Sequence, residues 1–167
     1  MTISLYLHAS AGAYAKNSIP SPGAGKRCKY AGQSVQRALP IRVITVGKKR
    51  SLGVQLVVDE YIGKLKYYCK VEDLQLRSNP KNTGDVKAQI KDEDMAVMNI
   101  ISSDDWGASR ISFCIGGPYG HGPKMRERAN VSIKLSSMVL NHQIALLVLV
   151  EQLYRSWTIL KGQNYHH

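Results

Sequence analysis

The segment Arg110-Ile111-Ser112-Phe113-Cys114-Ile115 runs without a break into Gly116-Gly117-Pro118-Tyr119-Gly120-His121-Gly122-Pro123. An apolar hexad of this kind reads as a strand, and Pro123 suits the first turn of a helix that Met125 to Ala129 continue. Strand, loop and helix in that order define an α/β unit, and α/β folds bind ligands at the carboxyl ends of their strands. Four glycines within residues 116–122 leave the backbone open to close approach by a ligand. The loop is not a Walker loop, because no GK[ST] follows, and its glycines do not fit GxGxxG. An adenosine-type ligand and a plain tight turn both account for it on this feature alone.

The chain upstream supports the same class. Ile41, Val43, Ile44 and Val46 form a β-branched run that ends at Gly47, which predicts a buried strand and a turn. Val54, Val57, Val58, Tyr61, Leu65 and Tyr68 recur at helical spacing, with Ser51 placed as N-cap. Val71, Leu74 and Leu76 predict a second strand, and residues 78–84 a loop. Asp85 is positioned to cap a helix carrying Val86, Ile90, Val97, Met98 and Ile101. Within it, Asp92-Glu93-Asp94 reads as a solvated patch. Val131 to Leu140 form an apolar segment interrupted by serines. From His142 to about Leu160 the pattern is a helix apolar nearly all round, which calls for central burial or a partner subunit.

Charge divides the 167-residue chain unevenly. The formal net charge is +11, yet the first acidic residue is Asp59. Residues 1–40 hold five bases (Lys16, Lys26, Arg27, Lys29, Arg37), five serines and no regular period. That composition predicts a disordered organelle transit peptide, with a basic RNA-touching arm as the other reading. Residues 41–167 are then the folded domain. Cys28, Cys69 and Cys114 are odd in number and form no CxxC, which argues against a disulfide framework or a zinc site. The longest apolar run, Ile144 to Val150, is far short of the roughly 20 residues that a membrane-spanning helix needs.

Cations cluster beside the glycine loop. Lys124, Arg126 and Arg128 follow it directly and suit an RNA backbone, although a solvated helix face has the same composition. Lys48-Lys49-Arg50 follows the first strand and lies at the same end of a parallel sheet. The terminal Asn164-Tyr165-His166-His167 offers an aromatic for base stacking and imidazoles that titrate near neutrality. His142, at the start of an apolar helix, reads as structural.

Gly116-Gly117-Pro118-Tyr119-Gly120, the Leu135-Ser136 segment, Glu151 to Trp157 and Asn164-Tyr165-His166 closely resemble the RlmH (YbeA) family of SPOUT-class methyltransferases. The resemblance covers roughly residues 40–167 and has the character of a plant organellar member. It implies an α/β fold with a parallel-type sheet flanked by helices and a C-terminal trefoil knot, acting as a homodimer. It implies transfer of a methyl group from S-adenosylmethionine to N3 of a pseudouridine in large-subunit ribosomal RNA. By the same resemblance, Gly116, Gly117 and Pro118 form one wall of the cofactor site. Leu135, Ser136, Ser137, Met138, Val139 and Leu140 form the other. Arg155, Tyr165 and His166 match the catalytic positions, His166 for proton removal and Arg155 for positioning. Lys124, Arg126 and Arg128 are the RNA-binding candidates, and no metal is implied.

One departure is large. Where the family has a further strand, a cofactor loop and a helix, this chain passes from Trp106 directly to Gly107, short by roughly 25 residues, beyond ordinary loop variation. The alternative function is therefore a shortened, catalytically impaired isoform that retains at most RNA binding or dimerisation. The expected location is the chloroplast, with the mitochondrion as the alternative.

Overall fold

The computed structural model describes residues 2–8, through their backbone, together with residues 38–102 and 109–163. The elements are β1 (Thr2–His8), β2 (Ile41–Gly47), α1 (Leu52–Leu65), β3 (Val71–Arg77), α2 (Val86–Ser102), β4 (Arg110–Ile115), α3 (Pro123–Arg128), β5 (Val131–Lys134) and α4 (His142–Leu160). All the expected strands and helices of residues 41–160 are present, and the class is α/β.

The β-branched run of β2 is buried along its whole length. Alternation divides its side chains between two cores. Ile41 and Val43 join Val58, Ile62 and Leu65 of α1, Phe113 and Ile115 of β4, and Leu146, Leu149 and Val150 of α4. Ile44 and Val46 face the other way, against Val97 and Ile101 of α2, Cys114 of β4 and Met125 of α3. Burial on both faces explains why β2 reads as a continuous apolar run. Helix α4 is buried on one side through Ala145, Leu146, Leu149 and Val150, whereas Ile144, Ile159 and Leu160 remain exposed. Tyr68 stacks on Trp157, with ring centroids 6.0 Å apart and planes 6° from parallel, joining the chain just beyond α1 to α4.

Helix starts follow the sequence with one exception. Asp85 accepts from the Lys87 and Ala88 amides at 3.0 and 3.3 Å, and Asn141 accepts from Gln143 N at 2.9 Å. Ser51 occupies the N-cap of α1, but its hydroxyl makes no capping bond. Its amide instead donates to Gln143 Oε1 at 3.1 Å, tying the start of α1 to the start of α4.

The sheet order is β3-β2-β4-β1-β5. Strands β3, β2 and β4 are parallel, whereas β1 runs antiparallel to both of its neighbours. Since β1 opposes both β4 and β5, those two share one direction. The sheet is thus of the expected parallel type in β3, β2 and β4, with β1 as a single reversed strand. The expectation of a disordered segment over residues 1–40 fails for residues 2–8, while residues 9–37 lie outside the described residues. In Thr2–His8 the apolar residues Ile3, Leu5 and Leu7 alternate with polar or aromatic ones, a strand pattern masked by the basic composition around it. The trefoil knot is not visible among the described residues. No helix of the described residues is long and apolar enough to cross a membrane.

Strand β1 pairs the edge of β4 that β2 leaves uncovered, from Ile3 opposite Ile115 to His8 opposite Arg110. It also carries β5, from Thr2 opposite Lys134 to Leu5 opposite Val131. Among the described residues β5 has no other strand partner. Its four residues are solvent-exposed, so backbone pairing rather than side-chain burial holds it. Deleting residues 2–8 should therefore abolish hydrogen-exchange protection of the residue 131–134 amides while leaving β2 and β3 protected. Equal protection of β5 in both chains would show that another segment holds it.

Candidate functional site

Parallel pairing brings the ends of β2 and β3 to one edge, with Gly47 opposite Arg77, and Thr45 near that end opposite Ile115 of β4. Strand β1 passes this direction on to β5, because Ile3 lies opposite both Ile115 and Ile133. The glycine loop and the Leu135–Leu140 segment therefore leave the same sheet edge. They are separated by the width of one intervening strand, about 10 Å at ordinary strand spacing.

Two buried carboxylates lie behind the glycine loop. Glu93 and Asp94 are 5% and 4% exposed, so the predicted solvated patch is instead an interior cluster. Glu93 Oε1 accepts from Ser78 Oγ at 2.7 Å, Asn79 N at 2.9 Å and Gln89 Nε2 at 2.8 Å. Its Oε2 is buried without a hydrogen-bond partner among the described residues. A Cβ on Gly117 would run into this carboxylate, so any larger residue there forces the Glu93 side chain to move. Asp94 accepts from Gly122 N at 2.8 Å and Met125 N at 3.3 Å. Gly122 is the N-cap of α3 and has no side chain to cap with, so Asp94 supplies that bond from α2. The sequence signal was available: Gln89, Glu93, Val97 and Ile101 recur every four residues on one helix face, and the charge triplet obscured it.

The loop itself folds back tightly. Gly120 N donates to Gly117 O at 3.0 Å, and Gly120 takes a φ of +80°. A Cβ on Gly116 would sit 2.8 Å from the Gly120 carbonyl carbon, so the first glycine is required by close backbone approach. His121 anchors the loop from below, its Nε2 3.0 Å from Cys114 O. Burial lowers its pKa below the ordinary 6.5, against the opposing effect of the Cys114 bond, so the ring is neutral at neutral pH. Burial likewise lowers His142, whose ring packs on Gly47 so closely that a Cβ there would lie 2.5 Å from it. Both act as structural histidines. Cys114 is pushed up to about 12, chiefly by burial, and is no thiolate nucleophile.

The other expected site residues are placed as follows. Leu135 and Leu140 pack against the core cluster that contains Ile115, so both proposed cofactor walls stand on one core. Between them Ser136 Oγ accepts from Met138 N at 3.0 Å, and Ser137, Met138 and Val139 are exposed. Arg155 lies half-buried on α4, its Nε and Nη2 on Glu151 Oε1 at 3.1 and 3.0 Å. Tyr165 and His166 fall outside the described residues. Lys124, Arg126 and Arg128 are exposed along α3. Arg50 leaves the basic spot after β2: its guanidinium is buried against Asp73, with Nη2 2.7 Å from Oδ1.

A cleft of about 720 Å³ opens on this edge beside Pro118 and Tyr119, bounded by Lys48, Lys49, Arg77 and Asn79. A second, of about 460 Å³, lies across Tyr119 against His121 and Arg126. Among the described residues no three His, Cys, Asp or Glu side chains are grouped to hold a metal.

The sheet with helices on both faces defines the class as an α/β protein, with a glycine loop tied down at the carboxyl edge of its strands. Residues 99–166 match the family model described as "Predicted SPOUT methyltransferase". A protein of Arabidopsis thaliana named "Putative RNA methyltransferase" is 61% identical over 180 residues, covering 92% of this chain and 93% of its own length. The "Ribosomal RNA large subunit methyltransferase H" of Thermus thermophilus is 31% identical over 137 residues, covering 75% of this chain and 97% of its own length. The protein of the same name from Flavobacterium psychrophilum is 29% identical over 155 residues, 76% of this chain and 98% of its own length. The chain belongs to the RlmH family of SPOUT methyltransferases. Because 92% of 167 residues is about 154, the 180-residue alignment contains about 26 positions that this chain lacks. That agrees in size with the segment expected to be missing after Trp106.

Replacing Glu93 by Ala should cost about 2–3 kcal/mol in urea unfolding, because Ser78, Asn79 and Gln89 lose a buried acceptor. Gly117→Ala should cost about 1–3 kcal/mol through the clash with that carboxylate. The double variant should be more stable than the sum of the two losses predicts. Strict additivity would show that Glu93 does not press on the loop.

Proposed function

We propose that the chain transfers a methyl group from S-adenosylmethionine to N3 of a pseudouridine in large-subunit ribosomal RNA. The observation that carries this reading is the Gly116–Gly117 backbone, stripped of side chains and backed by the buried Glu93, at the edge from which Leu135–Leu140 also emerges. A cofactor held there would bind to the backbone of Gly116, Gly117 and Pro118 on one side. Leu135, Ser136, Ser137, Met138, Val139 and Leu140 would enclose it on the other. The cofactor supplies an electrophilic methyl group. The chain's own residues must hold the target ring in line with it and take the proton from N3. His166 is assigned the proton, and Arg155 and Tyr165 the positioning of the nucleotide.

A homodimer completes the reading. Met138 and Val139 are 68% and 97% exposed beside the cofactor segment, and Ile144, Ile159 and Leu160 are exposed along α4. A second copy is the natural cover for such apolar surface. The acid-free, basic composition of residues 1–40 favours import into the chloroplast, with the mitochondrion as the alternative and with Thr2–His8 kept in the sheet as β1.

The test is to incubate the purified chain with S-adenosylmethionine and large-subunit ribosomal RNA, then digest the RNA and analyse its nucleosides by mass spectrometry. N3-methylpseudouridine should form, and His166→Ala should slow its formation by roughly 10²- to 10⁴-fold. A folded chain that yields no methylated nucleoside would support the shortened, catalytically impaired isoform instead.

A further inference from the structure

The acids around the larger cleft are committed to particular partners. Asp73 holds Arg50 and Asp92 holds Lys81. Glu93 is buried behind the loop on Ser78, Asn79 and Gln89. Lys48 and Lys49 are exposed at the end of β2 and make no ion pair among the described residues. Arg77, at the end of the neighbouring β3, gives one N–H to Asn82 Oδ1 at 3.1 Å and keeps other donors available. The backbone beneath them is fixed: Gln75 Nε2 donates to Lys48 O at 2.6 Å, and Ser78 N donates to Gly47 O at 3.2 Å. A field of three cations with no acid in its lining is therefore mounted on two adjacent strand ends.

Tyr119 stands at the inner end of this field. It is 52% exposed and lines both clefts, so its ring forms the ridge between Lys48, Lys49 and Arg77 on one side and Arg126 on the other. The residue follows Pro118 of the glycine loop, which places the ridge beside the cofactor wall. Cations that follow a backbone, together with an exposed aromatic face, form the arrangement that grips single-stranded nucleic acid.

We infer that Lys48, Lys49, Arg77 and Tyr119 form an RNA track that delivers an unpaired strand to the glycine loop. The cations contact successive phosphates and Tyr119 stacks on a base next to the target. This rests on the reading of the chain as an RNA methyltransferase, but it assigns the main grip to the ends of β2 and β3 rather than to α3. On α3, Glu127 stands between Arg126 and Arg128 and weakens the positive field.

The test is binding of a fluorescein-labelled single-stranded oligouridylate of about ten nucleotides to the full chain, followed by anisotropy at several salt concentrations. Lys48→Gln, Lys49→Gln and Arg77→Gln should each weaken binding several-fold at low salt. Each should also lower the slope of log K against log salt by about 0.7. Tyr119→Ala should weaken binding roughly five- to hundredfold with the slope unchanged. Lys70→Gln, at the opposite end of β3, is the control and should change neither. Parent-like affinity and slope in the four variants, or an equal loss in Lys70→Gln, would overturn the track while leaving the methyltransferase reading intact. A parent chain that binds no oligonucleotide would overturn the track, and methyl-transfer activity on ribosomal RNA would then decide separately whether the RNA reading stands.

Discussion

Strand β2 has no free side. It is paired along one edge with β3 and along the other with β4, and its two faces are covered by α1 and α4 on one side and α2 and α3 on the other. Parallel pairing on both edges points the carboxyl ends of the three strands to one edge. The turn after Gly47, the loop after Arg77 and the glycine loop after Ile115 consequently meet at one edge. Burial of Ile41, Val43, Ile44 and Val46 fixes the register, because a slip by one residue would exchange the two cores. The site is thus a consequence of packing remote from it.

Polar interactions then give that edge its shape. Glu93 and Asp94 are costly to bury, and their position is justified by what they organise. One carboxylate ties the β3–α2 loop to α2 and lies against Gly117, and the other caps a helix whose own cap is a glycine. Arg50 and Asp73 form a further buried pair that removes one cation from the surface. Lys48, Lys49 and Arg77 lie along a cleft whose lining holds no acid. A chain with net charge +11 concentrates positive potential along this cleft by placing its few acids elsewhere.

Much of this was legible in the sequence, wherever a period was clean. The Ile41–Val46 run, the helical spacing from Val54 to Leu65, the Asp85 cap and the passage from Ile115 into glycine all identify elements at their observed places. Three features were hidden, each by a competing local signal. The alternation in Thr2–His8 sits in a segment whose composition resembles a targeting sequence, so β1 was not foreseen. Glu93 and Asp94 read as surface because they are charged, and only their spacing to Gln89 and Val97 marks them as interior. Arg50 looked equivalent to Lys48 and Lys49, yet a partner 23 residues away sequesters it. Long-range pairing of this kind leaves no trace in local pattern.

The central claim is that the edge retained by this chain suffices to bind a methyl donor despite the loss of about 26 positions relative to its Arabidopsis thaliana relative. Strand β1 makes that claim physically coherent, since it pairs β4 and holds β5, from which the second wall departs. The most direct measurement is calorimetric titration of S-adenosylmethionine into the full chain, with circular dichroism of the same sample. Saturable binding at about micromolar affinity by a folded protein is the predicted result. A folded protein that takes up no heat-detectable ligand at millimolar concentration would contradict the account.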